Sequence, residues 1–221
     1  MFASLEESLG HQFRSAQTLR DALTHKSYAF EKGIPRHNER LEFLGDSVLA
    51  AVVAHWLFET YPEEDEGRLS KMKASLVSRV TLARWAAEMR LGPHLLLGSG
   101  EETTGGRERP SILSNALEAL IGALYLDGGY KLASQFIHRR LLDQEARIVE
   151  ADHKSRLQEI VQKRYKVPPT YALVKASGPD HDRTFSVKVQ IGARLLGSGR
   201  GKNKKEAEQA AAKDALRNIP R

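Results

Sequence analysis

Through roughly the first 150 of its 221 residues, the chain repeats apolar side chains at helical intervals. The repeats cover 19–23, 41–57, 72–87, 113–126 and 132–148 and predict a string of helices. The segments between them carry turn residues: GIPRHN, YPEEDEG, GSGEETTGGRERP and DGGY. Past EADHKS (150–155) the period changes. SRLQEIVQKRYK (155–166) reads as a helix stopped by Pro168 and Pro169. Residues 171–177, 184–191 and 194–199 alternate and are rich in β-branched and aromatic side chains, as strands are. NKKEAEQAAAKDALRNI closes the chain as an alanine-rich helix with Asn203 placed to cap it. The pattern predicts a mostly α protein: a helical domain over 1–149, a linker at 150–154, and an α-β-β-β-α domain over 155–221.

Two predicted helices carry acids where the apolar pattern is densest. In NERLEFLGDSVLAAVVAHW, Glu42 and Asp46 stand one turn apart on one face, with Glu39 close before them. In SILSNALEALIGALYLD, Asn115 and Glu118 stand three apart. Carboxylates gathered in a poorly solvated place need a counter-charge, either Arg40 or a divalent cation. Two acids from one helix facing an acid and an amide from another make an all-oxygen donor set. That set suits Mg²⁺, with Mn²⁺ as a substitute, rather than Zn²⁺. An isolated Glu-x-x-x-Asp pair is more often a solvated face or an ion-pair partner. Gly45 argues for more: a glycine inside a helix costs roughly 1 kcal/mol, which a close approach of another backbone or a ligand would explain.

Charge separates the same two regions. Residues 154–221 hold 16 Lys and Arg against 6 Asp and Glu, whereas residues 1–153 hold 18 against 22. A basic tail on an acidic body predicts a polyanionic partner, against the plainer reading of a solvated basic surface. There are no cysteines, which excludes disulfides and thiolate metal sites. The N-terminal MFASLEESLGHQF is too polar for a secretory signal, and the longest apolar run, VLAAVVA, is too short to span a bilayer. The expectation is a cytoplasmic protein with no membrane partner.

NERLEFLGDS closely resembles the signature of the ribonuclease III family, and SILSNALEALIGALYLDGG and THKSY (24–28) resemble two further segments of that catalytic domain. The tail resembles a double-stranded-RNA-binding domain, opened by QEIVQKRYKVPPTY and closed by GSGRGKNKKEAEQAAAKDAL. The resemblance covers essentially the whole chain. It implies a homodimeric endoribonuclease of double-stranded RNA, each centre cutting one strand, with metal-binding positions at Glu42, Asp46, Asn115 and Glu118. Of these, Asp46 and Glu118 are the expected catalytic residues. Glu39 is a further acid of the signature, and Glu66 matches an acid of the dimer valley. It also implies 5′-phosphate and 3′-hydroxyl ends, short 3′ overhangs, and roles in rRNA and mRNA processing. Two metals roughly 3.5–4 Å apart would activate water and stabilise the leaving oxygen.

The chain departs from the family pattern at Asn115, where the best-known members have aspartate. An amide oxygen still donates, but one negative charge is lost. Three readings compete: a natural active variant, which we favour, an introduced change that slows cleavage, or a binding-only homologue.

For the tail, the resemblance implies contacts across two minor grooves and the phosphates between them. Gln158 on the first helix, Pro179 and His181 in SGPDHDR, and Lys202, Lys204 and Lys205 before the last helix are the candidate contacts. Three lysines at a helix N-terminus oppose the helix dipole, so they point to phosphate rather than to helix stability. Trp56, Trp85 and Phe43 are expected in the core or a dimer interface, and His25 is expected to be structural. GSGEETTGGRERP is a candidate RNA-contacting loop through Arg107 and Arg109.

Overall fold

The apolar stretch that begins at Glu39 forms a single helix of 22 residues, α4 (Glu39–Thr60), and it packs along α8 (Pro110–Ile137). The computed structural model that shows this describes residues 2–143, 153–177, 179 and 183–219. The chain divides into two units, Met1–Glu145 and Ala146–Arg221.

In the first unit, α1 (Ala3–Leu9), α2 (Ala16–Leu23) and α3 (Lys26–Lys32) precede α4. α8 is apolar around most of its circumference, with Ala116, Leu117, Ala119, Leu120, Ile121, Ala123 and Leu124 almost fully buried. It is therefore the central rod, as the pattern of an all-round apolar helix requires. α4 gives it one stripe, Val48, Leu49, Val52, Val53 and Leu57. α4 has the length and mean hydropathy, 1.5, of a membrane span, but its buried stripe is spent on α8.

Gly45 and Gly122 explain how closely these two helices approach. A β-carbon on Gly45 would overlap the carbonyl of Glu118, and one on Gly122 would overlap the carbonyl of Leu41. The two backbones touch directly, so the approach that Gly45 implied is made by a helix.

Several expectations change in the structure. The single helix expected over 72–87 is two, α5 (Glu66–Leu76) and α6 (Arg79–Glu88). Ser78 breaks them apart, its hydroxyl accepting from Thr81 N at 3.3 Å as the cap of α6. Gly129, at φ 74° and ψ −174°, leaves the helical region, so α8 is two helical pieces meeting at a kink where the DGGY turn was expected. Just before the kink, buried Asp127 anchors the N-terminal segment. It bonds His11 Nε2 at 2.8 Å and accepts from Arg14 N at 3.0 Å. Burial opposes its charge, but these bonds outweigh that and hold its carboxyl below the usual range. Residues 138–142 continue as a π-helical turn, and 144–148 of the expected 132–148 helix lie outside the described residues.

GSGEETTGGRERP is structured rather than a loop, with a short helix, α7 (Ser99–Thr103), and a 3₁₀ turn at Gly106–Glu108. Arg107 binds Glu102 at 2.6 Å and the carbonyls of Gly92 and Leu95 at 2.8 Å. Arg109 binds Glu101 and Thr104. Both guanidiniums clamp the protein itself, so each arginine has a structural role in this segment. Of the aromatics, Trp85 is 1% exposed and Phe43 is 78% exposed, so only the first is a core residue.

In the second unit, α9 (His153–Tyr165) begins within the expected 150–154 linker, whose residues 150–152 lie outside the described ones. It is followed by an antiparallel sheet in the order β1 (Thr170–Ser177), β2 (Thr184–Ile191), β3 (Arg194–Gly201), and by α10 (Lys204–Asn218). Both helices contribute to one core, in which Leu157 and Val161 meet Val187, Val189, Leu196, Ala207, Ala211 and Ala215. Gly197, Gly199 and Gly201 stand at alternate positions of β3, where side chains would strike the α10 backbone. Asn203 caps α10 as expected, accepting from Glu206 N at 2.9 Å.

Replacing Gly45 by Ala forces backbone out of contact with backbone. The expected outcome is a loss of at least about 2 kcal/mol, read from the denaturant midpoint. Wild-type stability for Gly45→Ala would refute the tight crossing.

Candidate active site

The close crossing of α4 and α8 decides which polar side chains meet. Glu42 and Asp46 each follow, by one residue, a position of α4 that touches α8, and Asn115 and Glu118 occupy the facing part of α8. All four interact. The Asn115 side chain hydrogen-bonds Glu42, and Glu118 feels the charges of both Asp46 and Glu42. Two segments separated by some 70 residues of sequence thus build one acidic groove.

Its electrostatics are unfavourable as they stand. Burial, then the charges of Asp46 and Glu42, push the Glu118 carboxyl up to about 7 from an ordinary value of 4.5, and Arg79 offsets only part of this. Burial and the charge of Glu39 likewise raise the Glu42 carboxyl, although the Asn115 bond and the Lys26 charge work the other way. Among the described residues, no three Asp, Glu or His side chains are close enough to hold a metal ion as placed.

The expected counter-charge, Arg40, is exposed and, among the described residues, forms no ion pair with these acids. Lys26 takes that place instead, pairing Glu39 at 3.0 Å and holding its carboxyl below the usual range. THKSY forms the junction that sets this pair. Buried Thr24 accepts from Asn38 N at 2.9 Å, just ahead of α4. His25 N donates to Leu96 O at 3.0 Å, and Ser27 Oγ accepts from Gly98 N at 2.9 Å. His25 caps α3 by accepting from Ser27 N, and burial lowers its pKa. Glu39 sits beside the groove, whereas Glu66 is exposed at the start of α5 and accepts from Ser70 at 2.7 Å. Lys26 and Arg79 were missed as site residues. Lys26 lay within THKSY, but nothing in the local pattern of α6 marks Arg79.

In the second unit, Gln158, Pro179, Lys202, Lys204 and Lys205 are all exposed. Among the described residues the three lysine side chains form no ion pair. Glu206 reinforces the Asn203 cap of α10, accepting from Lys202 N at 3.0 Å and Asn203 Nδ2 at 2.6 Å. His181 lies outside the described residues.

The architecture is that of a helical nuclease domain joined to an α-β-β-β-α RNA-binding domain. Residues 15–145 match the family model described as ribonuclease-III-like, and residues 153–219 match the double-stranded RNA binding motif. The chain is 47% identical to Ribonuclease 3 of Bdellovibrio bacteriovorus, covering 96% of this chain and 94% of that protein. It is 45% identical to Ribonuclease 3 of Caldanaerobacter subterraneus, covering 99% and 98%. A crystal structure of the nuclease domain of ribonuclease III from Campylobacter jejuni superimposes with a TM-score of 0.59. At 44% identity it covers 63% of this chain and 92% of that one. The chain belongs to the ribonuclease III family and is a double-stranded-RNA endoribonuclease.

Because folding raises the Glu118 carboxyl, its ionised form destabilises the native state. That cost is absent below about pH 4.5, grows as pH rises and is complete above about 7. Partial solvent exposure screens it, leaving about 1–2 kcal/mol. In metal-free buffer, Glu118→Gln is expected to melt higher than wild type at pH 8 and alike at pH 4, by calorimetry. Equal melting at both would refute the raised value.

Proposed function

We propose that the α4–α8 groove binds Mg²⁺, and Mn²⁺ in its place, and hydrolyses phosphodiester bonds of double-stranded RNA. The products are 5′-phosphate and 3′-hydroxyl ends with short 3′ overhangs. The observation that carries this reading is the crowding of Glu42 and Asp46 against Glu118, whose carboxyl is pushed up to about 7. The family is metal-dependent. The residues present fit a hard cation: three carboxylates and an amide oxygen, short of positive charge. When bound, such ions supply Lewis-acid activation of water and charge relief on the leaving oxygen. Asp46 and Glu118 are the direct holders in this reading, and Glu42 is oriented by Asn115. Lys26 keeps Glu39 ionised at the edge of the groove, and Arg79 moderates the charge on Glu118.

Asn115 explains its own tolerance. Its amide donates to Glu42, a bond that an ionised aspartate could not offer, while its oxygen accepts from Ser114 Oγ at 3.3 Å. This favours an active variant over a binding-only homologue.

The active form is proposed to be a homodimer. Phe43 stands exposed on the outer face of α4, in a groove where Leu41, Leu44 and Leu126 mix with the charged Asp21, Arg36 and Arg40. An exposed aromatic in a groove that carries both signs of charge suits a second copy of the same face. The Campylobacter jejuni nuclease domain is described as having a region involved in dimer formation. In the tail, Gln158, Pro179 and His181 would read minor grooves, and Lys202, Lys204 and Lys205 the phosphates, with affinity falling as salt rises. Cytoplasmic processing of rRNA and mRNA precursors is the proposed setting.

A long duplex RNA incubated with Mg²⁺ is expected to be cut, and EDTA to stop it. Glu118→Ala should slow cleavage at least about 100-fold while leaving duplex binding intact. In the same assay Asn115→Asp should lower the Mg²⁺ concentration for half-maximal rate, and a higher requirement would argue against a ligand role. Binding without cutting at any Mg²⁺ or Mn²⁺ concentration would remove the proposed chemistry. Phe43→Asp is expected to sediment as a monomer where wild type sediments as a dimer. A dimer unaffected by the change would place the interface elsewhere.

A further inference from the structure

In the second unit both helices lie against one side of the sheet, where Val187 and Val189 of the central strand β2 are 3% and 0% exposed. Lys188, between them, is exposed on the other side. Register fixes what shares that outer face, because residues directly opposite in adjacent strands point the same way. Ser198 of β3 pairs with Lys188, and Ser186 stands between Lys175 of β1 and Arg200 of β3. Lys175 and Arg200 are exposed as well, and among the described residues none of the three cations forms an ion pair or a side-chain hydrogen bond. Hydroxyls of Ser186, Ser198 and Thr184 lie among them, and no Asp or Glu stands on the paired positions of this face. Asp214 reaches the edge of β3 from α10, where it accepts from Ser198 N at 2.9 Å, and it pairs with none of the three.

The pairing also sets the spacing. Lys188 lies diagonally from both Lys175 and Arg200, roughly 7–8 Å away. Those two are two strand spacings apart, roughly 9.5 Å. Three like charges so placed repel one another, and no acid on the face offsets them. A cation on an edge strand guards against pairing with another chain, which accounts for Lys175 and Arg200. Lys188 has no such reason, because β2 lies between β1 and β3 and has no free edge. Its charge points to an anion outside the sheet.

We propose that the outer face of the sheet is a second RNA contact surface, which takes the phosphate backbone of a duplex other than the one held on the helix side. Cations interleaved with Ser and Thr hydroxyls are the donor set that phosphate contacts use. The centre of the face, Ser186, Lys188 and Ser198, has no aromatic side chain on which an unpaired base could stack. It also lacks the apolar anchor that a protein interface places at its centre, which is why RNA is favoured over an acidic protein. Arg200 precedes Lys202 by two residues, but Lys188 and Lys175 stand one and two strands further across the sheet. A duplex is too stiff to wrap from the helix side onto them. One chain therefore holds two duplex arms of a folded RNA at once. The inference rests on the double-stranded-RNA binding of the family and not on the metal chemistry of the groove.

The test is a calorimetric titration of the full chain with an RNA duplex of about 16 bp, at low salt and in EDTA so that nothing is cut. Two binding events per chain are expected, the second weaker by about tenfold or more. Its affinity should fall with salt at a logarithmic slope of about −2 to −3, the value for three phosphate contacts. The amide resonances of Ser186, Lys188 and Ser198 should shift during the second event. Lys175→Gln, Lys188→Gln and Arg200→Gln together should weaken the second event by about tenfold or more and leave the first within about twofold. If that triple variant fails to fold, Lys188→Gln alone carries the same expectation at smaller size. A single event per chain, or a second event indifferent to the substitutions, would overturn the proposal. So would weakening of the first event, which would make these residues part of one RNA surface. Larger shifts of the same three amides with poly-glutamate than with duplex RNA would overturn it in favour of an acidic protein.

Discussion

Two helices of the first unit touch backbone to backbone at Gly45 and Gly122, and the acidic groove exists because of that contact. Any side chain at either position would wedge α4 from α8, and Glu42 and Asp46 would then no longer face Asn115 and Glu118. The contact is also what makes the acids costly. It draws Glu42 and Glu118 into partial burial, where the neighbouring charges raise both carboxyls. Packing thus creates the electrostatic tension, and a cation is the chemically suited relief.

The neighbouring charges divide the labour. Lys26 satisfies Glu39 directly, so that acid stays ionised at the edge. Arg79 acts on Glu118 only by its field and does not cancel the repulsion from Asp46 and Glu42. Asn115 contributes a hydrogen bond in place of a charge, so it orders Glu42 without adding to the crowding. A groove neutralised entirely by arginines would have no use for a metal; this one keeps its deficit at Glu118.

The second unit solves a different packing problem with the same means. Gly197, Gly199 and Gly201 leave β3 bare on one face, and Ala207, Ala211 and Ala215 keep α10 small where it meets that face. The helix therefore lies close on the sheet with its N-terminus and its lysines projecting free of the core. Turned away from that contact, the outer face of the sheet carries Lys175, Lys188 and Arg200. One small domain thereby presents cations at two separated places.

Much of this was legible in the residues. Period alone separated a helical region from an α-β-β-β-α tail, and dense alanine marked the closing helix of that tail. Acids set in apolar helices marked Glu42, Asp46 and Glu118, because local patterning shows which residue types break a buried stripe. Local patterning failed where distant residues decide the outcome. Ser78 split a continuous apolar period, and Arg107 and Arg109 turned inward to carbonyls and acids that no spacing rule connects to them. Which helix fills the gap at Gly45, which cation answers each acid, and how far Glu118 is raised are sums over neighbours in space. The sequence determined the elements and the chemistry they carry. Only the tertiary structure decided the partners, because burial and charge coupling depend on distances that chain order does not contain.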